Sequence, residues 1–363
     1  MPSPSTYIIV DRKGGTRTCI HTPGPAFGAV DLEEMMTTTK KKKTSDGDGD
    51  KSSSPSSPFP SLSSALDAAS LVFFDGRLAE AALPLAEAAR QRGVPVLVEA
   101  ERPREGLGEL LERATFVTTS ASFPGLALSG ARDTLRGSSS GESSPSSASI
   151  PPHPGPAAAW LLASLPESVR WVSTTLGSKG AILLERRERD EDPSSDSDSP
   201  AAAAAEDAAA AVDTALELAR EAQERLLEME AEGEGGKKKS FAARSSTGVA
   251  VGLPGVVSSR KVLRLPRKAA NASSASDSDT ISVTLYASTA ASLPGPVVDS
   301  TGAGDAFNGA LIHALSSSAE NSNSNLEKAL ALACSVAGCN CMGLGARGGL
   351  PSSRESVSGE LLL

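Results

Sequence analysis

The stretch VVDSTGAGDAFNG at residues 297–309 combines the residue types most suited to chemistry in this chain. A short apolar approach ends at Asp299, a glycine-rich turn follows at residues 302–304, and a helix is predicted to begin at Asp305. Consecutive amides at a helix N-terminus attract a phosphate or a developing anion. Glycine lets the backbone approach such a ligand closely. The spacing therefore predicts an anion site at this turn.

The carboxylate of Asp305 stands at the mouth of the predicted anion site. A carboxylate repels a resting phosphate, but it can accept a proton from an attacking hydroxyl while the amides stabilise the transferred phosphoryl group. An aspartate that caps a helix after a glycine turn gives the same pattern. The residues alone leave both interpretations open.

The segments that must position this turn alternate between strand and helix. Apolar runs predict strands at 71–75, 94–98, 115–118, 171–175 and 181–184, with helices at 78–92 and 104–113. A hairpin is predicted from 7–10 and 17–20, and two amphipathic helices from 305–315 and 326–337. A β-α-β-α-β order favours a parallel sheet covered by helices.

Four low-complexity inserts interrupt these segments, at about 37–60, 133–156, 187–247 and 268–280. Their Ser, Gly, Pro, Asp and Lys content buries too little apolar surface to offset chain entropy. Within the third insert, residues 201–231 are rich in helix formers and predict a solvated helix. About 240 residues remain, which is enough for one α/β domain.

Composition excludes several classes of protein. The chain has 363 residues, a net charge of −9, 39% hydrophobic residues and only 3% aromatic residues. An acidic chain is poorly suited to nonspecific nucleic-acid binding, and no apolar run reaches the length of a membrane helix. The first residues lack a secretory pattern, and the four cysteines do not form a secreted disulfide framework. We therefore expect a cytoplasmic protein with neither nucleic acid nor membrane as a partner.

The run DSTGAGDAFNGAL, at 299–311, resembles the C-terminal signature of the PfkB-type carbohydrate kinases, the ribokinase-like family. TLGSKG at 175–180 resembles the family's nucleotide-binding turn, and VEAERPR at 98–104 and VAGCNCMGLG at 336–345 resemble ketohexokinase. YIIVDRKGGTRTCIHTPG at 7–24 resembles the lid-proximal strands of plant ribokinase-like proteins. The resemblance implies one interrupted domain over 7–355: a three-layer α/β/α sandwich with a mostly parallel central sheet and a partial β lid.

This resemblance also implies an activity, the transfer of the γ-phosphoryl group of MgATP to a hydroxyl of a small sugar such as fructose or ribose. Asp305 would be the catalytic base, and the anion hole would be formed by Gly302, Ala303 and Gly304. Mg²⁺ would bridge the phosphates without a direct protein ligand.

Further positions follow from the same resemblance. The ATP site would include Arg77, Thr175, Gly177, Ser178, Lys179 and Gly180. In some members a loop binds a monovalent cation such as K⁺, and the corresponding residues here are Asp299, Thr301, Asn340, Gly343 and Gly345. Simpler interpretations remain open: Arg77 fits a solvent-exposed arginine that binds no phosphate, and the loop residues fit an ordinary turn that binds no cation.

One departure from the family concerns the N-terminal region. Members begin with a long segment that carries a Gly-Gly-Asn sugar-binding motif and an early aspartate, and this chain starts after it. The resemblance therefore implies an N-terminally truncated kinase. Two alternatives remain open: a nucleotide-binding relative without catalysis, and a nucleoside kinase of the same family. Pairing of two copies through the lid strands is a further expectation.

Overall fold

The computed structural model describes residues 5–11, 16–22, 66–128, 153–187, 205–232, 241–265, 280–317, 324–352 and 356–357. The predicted insert at 37–60 lies outside these residues, as do most of those at 133–156 and 268–280. No helix in the described part is long and apolar enough to cross a lipid bilayer.

The first seven strands follow the predicted order along the chain, and five further strands were not predicted. The strands are β1 Ser5–Asp11, β2 Thr16–Thr22, β3 Val72–Phe74, β4 Val96–Ala100, β5 Phe116–Ser120, β6 Trp171–Thr175, β7 Ala181–Arg186, β8 Glu206–Asp207, β9 Ala243–Arg244, β10 Ala250–Val251, β11 Val256–Arg264 and β12 Thr280–Ser288. The predicted hairpin is confirmed as the antiparallel pair β1–β2. Its role as part of a lid stays a prediction.

The helices are α1 Ala79–Gln91, α2 Leu107–Leu111, α3 Phe123–Leu128, α4 Pro154–Ser164, α5 Ala208–Glu232, α6 Ala303–Ser317 and α7 Ser324–Asn340. A short 3₁₀ turn, Gly177–Lys179, lies between β6 and β7. Helix α2 begins later than the predicted 104 because Gly106 has a left-handed φ of 73° directly before it.

Eight strands form the main sheet in the order β3-β4-β5-β6-β7-β12-β11-β8. The four strands β3 to β6 are parallel to one another, whereas β7, β12 and β11 each run antiparallel to the strand before. The predicted parallel sheet is thus confirmed for its first half. Since parallel strands point the same way, the carboxyl ends of β3 to β6 meet at one edge.

Helices cover both faces of the sheet, which confirms the predicted three-layer α/β/α sandwich. On one face, α1 to α5 pack over apolar side chains such as Val98, Val172 and Leu285. On the other face, α6 and α7 pack over Leu97 and the stacked rings of Phe116 and Trp171, whose centroids are 4.7 Å apart.

The helix predicted inside the third insert is confirmed as α5, but it is not solvated on every side, and that part of the prediction is wrong. Helix α5 buries one stripe of small side chains in the core, made of Ala208, Ala211, Val212, Ala215 and Ala219. Their positions i, i+3, i+4, i+7 and i+11 place them on one face of the helix. Small side chains let α5 lie close to the sheet, and they give a weak apolar signal in the sequence.

Candidate functional site

The turn after β3 and the end of β4 lie together at the carboxyl edge of the sheet. A Cβ at Gly76 would lie 2.7 Å from the carbonyl oxygen of Glu99, and Gly76 has a φ of 68°. Both facts require glycine, because any side chain there would be strained and would strike the β4 backbone. This packing brings the Asp75–Arg77 turn against Glu99.

The glycine-rich turn at residues 302–304, here called the glycine corner, leads into α6 and is held in place by Asp299. One oxygen of this buried carboxylate, Oδ1, accepts a hydrogen bond from the backbone N–H of Thr301 at 2.9 Å. Gly302 then takes a φ of 77°, and a Cβ at that position would lie 2.9 Å from the Cα of Ala346. The chain therefore turns into α6 at a position where only glycine fits without strain.

The amides of the corner are not equally available. The N–H of Ala303 donates to the carbonyl oxygen of Ser300 at 3.2 Å. The N–H groups of Gly304 and Asp305 belong to the first turn of α6, where an N–H has no intrahelical acceptor. Of the predicted anion hole, Gly304 and Asp305 thus offer the freest donors.

Asp305 is exposed in the first turn of α6 and faces a second carboxyl group, that of Glu99 on β4. Glu99 is half-buried. Its burial, together with the charge of Asp305, raises the pKa of Glu99 to about 7. The exposed carboxylate is placed to reach a ligand, and the half-buried one is placed to hold a proton.

Asn308 lies one turn further along α6 and contacts the same carboxyl group. Its side chain is 4% exposed and hydrogen-bonds to Glu99. In the part of the chain that the structure describes, Oδ1 of Asn308 has no hydrogen-bond partner. A buried amide oxygen without a donor is costly.

The predicted phosphate-binding Arg77 lies near this cluster. Its backbone N–H donates to Oδ1 of Asp75 at 3.0 Å, and its Nε lies 3.4 Å from Oδ2 of the same residue. The Arg77 side chain is 63% exposed, so its guanidinium is accessible to an anion. The charge of Asp75 in turn acts on Glu99.

The predicted nucleotide-binding turn follows β6 at the same edge. Gly180 has a φ of 99°, and a Cβ there would lie 1.9 Å from the carbonyl oxygen of Ser288, so the turn is pressed against the end of β12. Thr175 closes β6 by donating its hydroxyl to the carbonyl of Thr119 at 3.3 Å. Ser178 and Lys179 line an open cleft of about 980 Å³ between this turn, α5 and residues 289–292.

The five residues predicted as a cation loop come together in the structure. Oδ2 of Asp299 accepts from the N–H of Gly345 at 2.9 Å, and Nδ2 of Asn340 donates to the carbonyl of Thr301 at 2.8 Å. The N–H of Gly343 donates to the carbonyl of Asn340 at 3.2 Å. Within the described residues, Thr301 Oγ1 and Asn340 Oδ1 are buried without a hydrogen-bond partner.

Three cysteines lie on or just after α7. Cys334 and Cys339 are buried and Cys341 is partly buried. Burial raises the pKa of Cys334 and of Cys339 to about 11, and that of Cys341 is raised as well. The described residues contain no group of three or more His, Cys, Asp or Glu side chains able to hold a metal ion.

Comparison with known families identifies the C-terminal part of the chain. Residues 282–353, which include β12, the glycine corner, α6, α7 and the cation loop, match the pfkB family carbohydrate kinases. We call residues 282–353 the PfkB segment after this match. The resemblance of the signature at 299–311 is therefore confirmed, whereas closeness to ketohexokinase stays a prediction. No curated protein matches the chain significantly.

Solved structures similar to this chain include sugar kinases and a nucleoside kinase from Burkholderia thailandensis, all of low sequence identity. A probable sugar kinase from Rhizobium etli is 15% identical with a TM-score of 0.44, and the match covers 98% of this chain and 64% of that one. Ribokinase from Giardia lamblia is 13% identical with a TM-score of 0.48, covering 99% and 71%. Arabidopsis thaliana ribokinase, complexed with ribose and ATP, is 16% identical with a TM-score of 0.40, covering 83% and 58%. The chain thus spans less than two thirds of the Rhizobium etli protein.

The sequence did not predict a functional role for Glu99 or Asn308. The available signal for Glu99 was a carboxylate that directly follows the apolar run VPVLV, one residue before the end of β4. Asn308 gave no such signal, because its burial depends on how α6 lies across the end of β4.

Proposed function

We propose that this chain belongs to a kinase that transfers the γ-phosphoryl group of ATP to a hydroxyl group of a small sugar. The observation that supports this most is the position of Asp305. Its carboxylate is exposed in the first turn of α6, directly after the Gly302 corner and at the carboxyl edge of the parallel strands.

In this proposal the first turn of α6 supports the transferred phosphoryl group. The N–H groups of Gly304 and Asp305 would donate to its oxygens, aided by the positive end of the helix. Asp305 would accept the proton of the acceptor hydroxyl as its oxygen attacks phosphorus. The bond to the leaving phosphate oxygen breaks in the same displacement, so ADP leaves with the electron pair.

The nucleotide would lie along the same edge. The exposed guanidinium of Arg77 suits a phosphate because it is planar and always charged. The turn Gly177–Lys179 and the cleft it shares with α5 would receive the nucleoside end. Mg²⁺ bound to the phosphates supplies charge neutralisation.

The loop around Asp299 fits a monovalent cation such as K⁺. It offers two buried oxygens that have no hydrogen-bond partner among the described residues, Thr301 Oγ1 and Asn340 Oδ1, beside a buried carboxylate. Such a cation would satisfy these oxygens and fix the corner that leads into α6. This assignment is part of the proposal.

A binding and turnover experiment tests the proposal. ATP binding to the full chain is measured by calorimetry, alongside a coupled assay with fructose, ribose and adenosine as acceptors, each in K⁺ and in choline buffer. We expect ATP binding and turnover of a sugar, both reduced when choline replaces K⁺. Turnover of adenosine alone indicates a nucleoside kinase, binding without turnover indicates a non-catalytic relative, and absence of ATP binding refutes the proposal.

A further inference from the structure

We propose that Glu99 and Asn308 form a neutral acid–amide pair, in which Glu99 keeps a proton so that its neighbour Asp305 remains the only carboxylate facing the acceptor. Glu99 is then a positioning residue, because it acts through Asp305 rather than on the substrate. The role in turnover rests on the proposed function, whereas the pair itself does not.

The first argument is the hydrogen-bonding capacity of Asn308. The hydrogen bond from its amide to Glu99 lowers the pKa of that carboxyl group, but burial and the charge of Asp305 outweigh this effect. The buried Oδ1 of Asn308 lacks a donor within the described residues. A protonated carboxyl group and a primary amide each offer one donor and one acceptor on the same side. A proton on Glu99 therefore supplies the donor that Asn308 Oδ1 lacks, whereas an ionised Glu99 has none to give.

The second argument is the charge around Glu99. From α6 it faces Asp305, from the turn after β3 it faces Asp75, and two residues along its own strand lies Glu101. Arg77 is paired with Asp75, and Arg102 lies 4.0 Å from Glu101, so these cations serve other carboxylates. The charges of Asp305, Asp75 and Glu101 therefore all oppose ionisation of the half-buried Glu99.

The third argument is the packing against the glycine corner. A Cβ at Gly304 would lie 3.9 Å from Oε1 of Glu99, so the carboxyl group sits against the first turn of α6. An ionised carboxylate at this place would add negative charge beside the amides proposed to receive a phosphoryl group. A protonated carboxyl group adds no such charge, so it leaves the electrostatic field of these amides unchanged.

The test compares Glu99→Gln with the control Glu101→Gln in the full chain. Glutamine preserves the shape and the paired donor and acceptor of a protonated glutamate, so Glu99→Gln should fold. Glu101 is exposed, and its replacement removes one negative charge from the same strand end. The melting temperatures of both variants and of the wild type are measured at pH 5 and at pH 8.

The sign of the expected effect follows from linkage. The pKa of Glu99 is about 7 in the folded chain, above its ordinary value of 4.5, so the folded chain binds this proton more tightly than the unfolded chain. The stability that Glu99 contributes is present below pH 4.5 and is lost as the pH rises to 7. Glu99→Gln should therefore stabilise the protein relative to wild type at pH 8 and leave it unchanged at pH 5.

Two readouts decide the inference. In ¹³C NMR of labelled glutamate, one carboxyl signal that disappears in Glu99→Gln should titrate near pH 7. Because Glu101 is one of the charges that raise the pKa of Glu99, Glu101→Gln should stabilise the protein at pH 8 by less than Glu99→Gln does, and leave it unchanged at pH 5. Equal shifts for the two variants, or a Glu99 signal that titrates in the ordinary range, would overturn the pair even if the chain proves to be a kinase.

The kinetic readout separates this inference from the proposed function. If the chain turns over ATP, the wild-type kcat should fall several-fold between pH 7 and pH 9, while that of Glu99→Gln stays level. An identical decline in both would overturn the positioning role. If no acceptor is phosphorylated, the proposed function fails and the melting and NMR results still decide the pair.

Discussion

Gly302 and Asp305 lie three residues apart and have different structural requirements. Gly302 needs a positive φ and has no room for a side chain against Ala346. Asp305 needs a helix that begins just before it, so that its carboxylate and its own N–H point toward the same ligand. The geometry of the proposed site therefore depends first on the glycine, and its chemistry depends on the aspartate.

Replacing Gly302 by alanine should destabilise the protein and weaken ATP binding. The left-handed conformation alone costs about 1–3 kcal/mol for a residue with a side chain, and the contact with Ala346 adds to it. Gly309→Ala is the matched control, since that position on the same helix is exposed and has nothing within 4 Å. It should gain about 0.5–1 kcal/mol. Chemical denaturation of both variants measures the difference, and equal stability would contradict the account.

Among the elements, α5 is the one whose position in the sequence was predicted but whose burial was not. It packs against β11 and β12 through small side chains, and it is fixed at its middle by Gln223. Nε2 of Gln223 donates to the carbonyl oxygens of Leu253 and Ala290, at 3.1 and 3.0 Å. Through these bonds α5 holds one wall of the cleft beside the predicted nucleotide turn.

A side chain at Gly255 should displace α5. A Cβ there would lie 1.9 Å from the carbonyl oxygen of Ala219 and 2.6 Å from the backbone nitrogen of Gln223. Gly255→Ala should lower the free energy of unfolding by about 1–3 kcal/mol and increase proteolytic cleavage within 208–232. Gly295→Ala has nothing within 4 Å and should be neutral. Unchanged stability and cleavage in Gly255→Ala would mean that α5 is not held against this strand.

At the scale of the whole molecule, the sequence predicted the layers better than their contacts. Strong apolar runs such as LVFFD and VPVLV gave the parallel strands, and helical periodicity gave α1, α6 and α7. The glycine corner could be predicted from the sequence because its residue types permit few backbone conformations. The contact between Glu99 and Asn308 could not, since it joins residues 209 positions apart through the packing of α6 on β4.

The sandwich brings the proposed site together from both halves of the chain. Arg77, Glu99 and the turn after β6 come from the parallel strands, while Asp305 and the cation loop come from the PfkB segment at 282–353. Neither half holds the complete set of residues. The activity proposed here therefore requires the packed sheet with α6 in place.

The most direct measurement is the turnover of Asp305→Asn compared with its binding of ATP. The control is Asp67→Asn, an exposed aspartate that pairs with Arg92 on the surface. Loss of a general base lowers kcat by about 10²–10⁴-fold, and we expect that loss in Asp305→Asn with the Kd for ATP changed only a few-fold and Asp67→Asn unaffected. A near-normal kcat in Asp305→Asn would contradict the assignment of this carboxylate as the base.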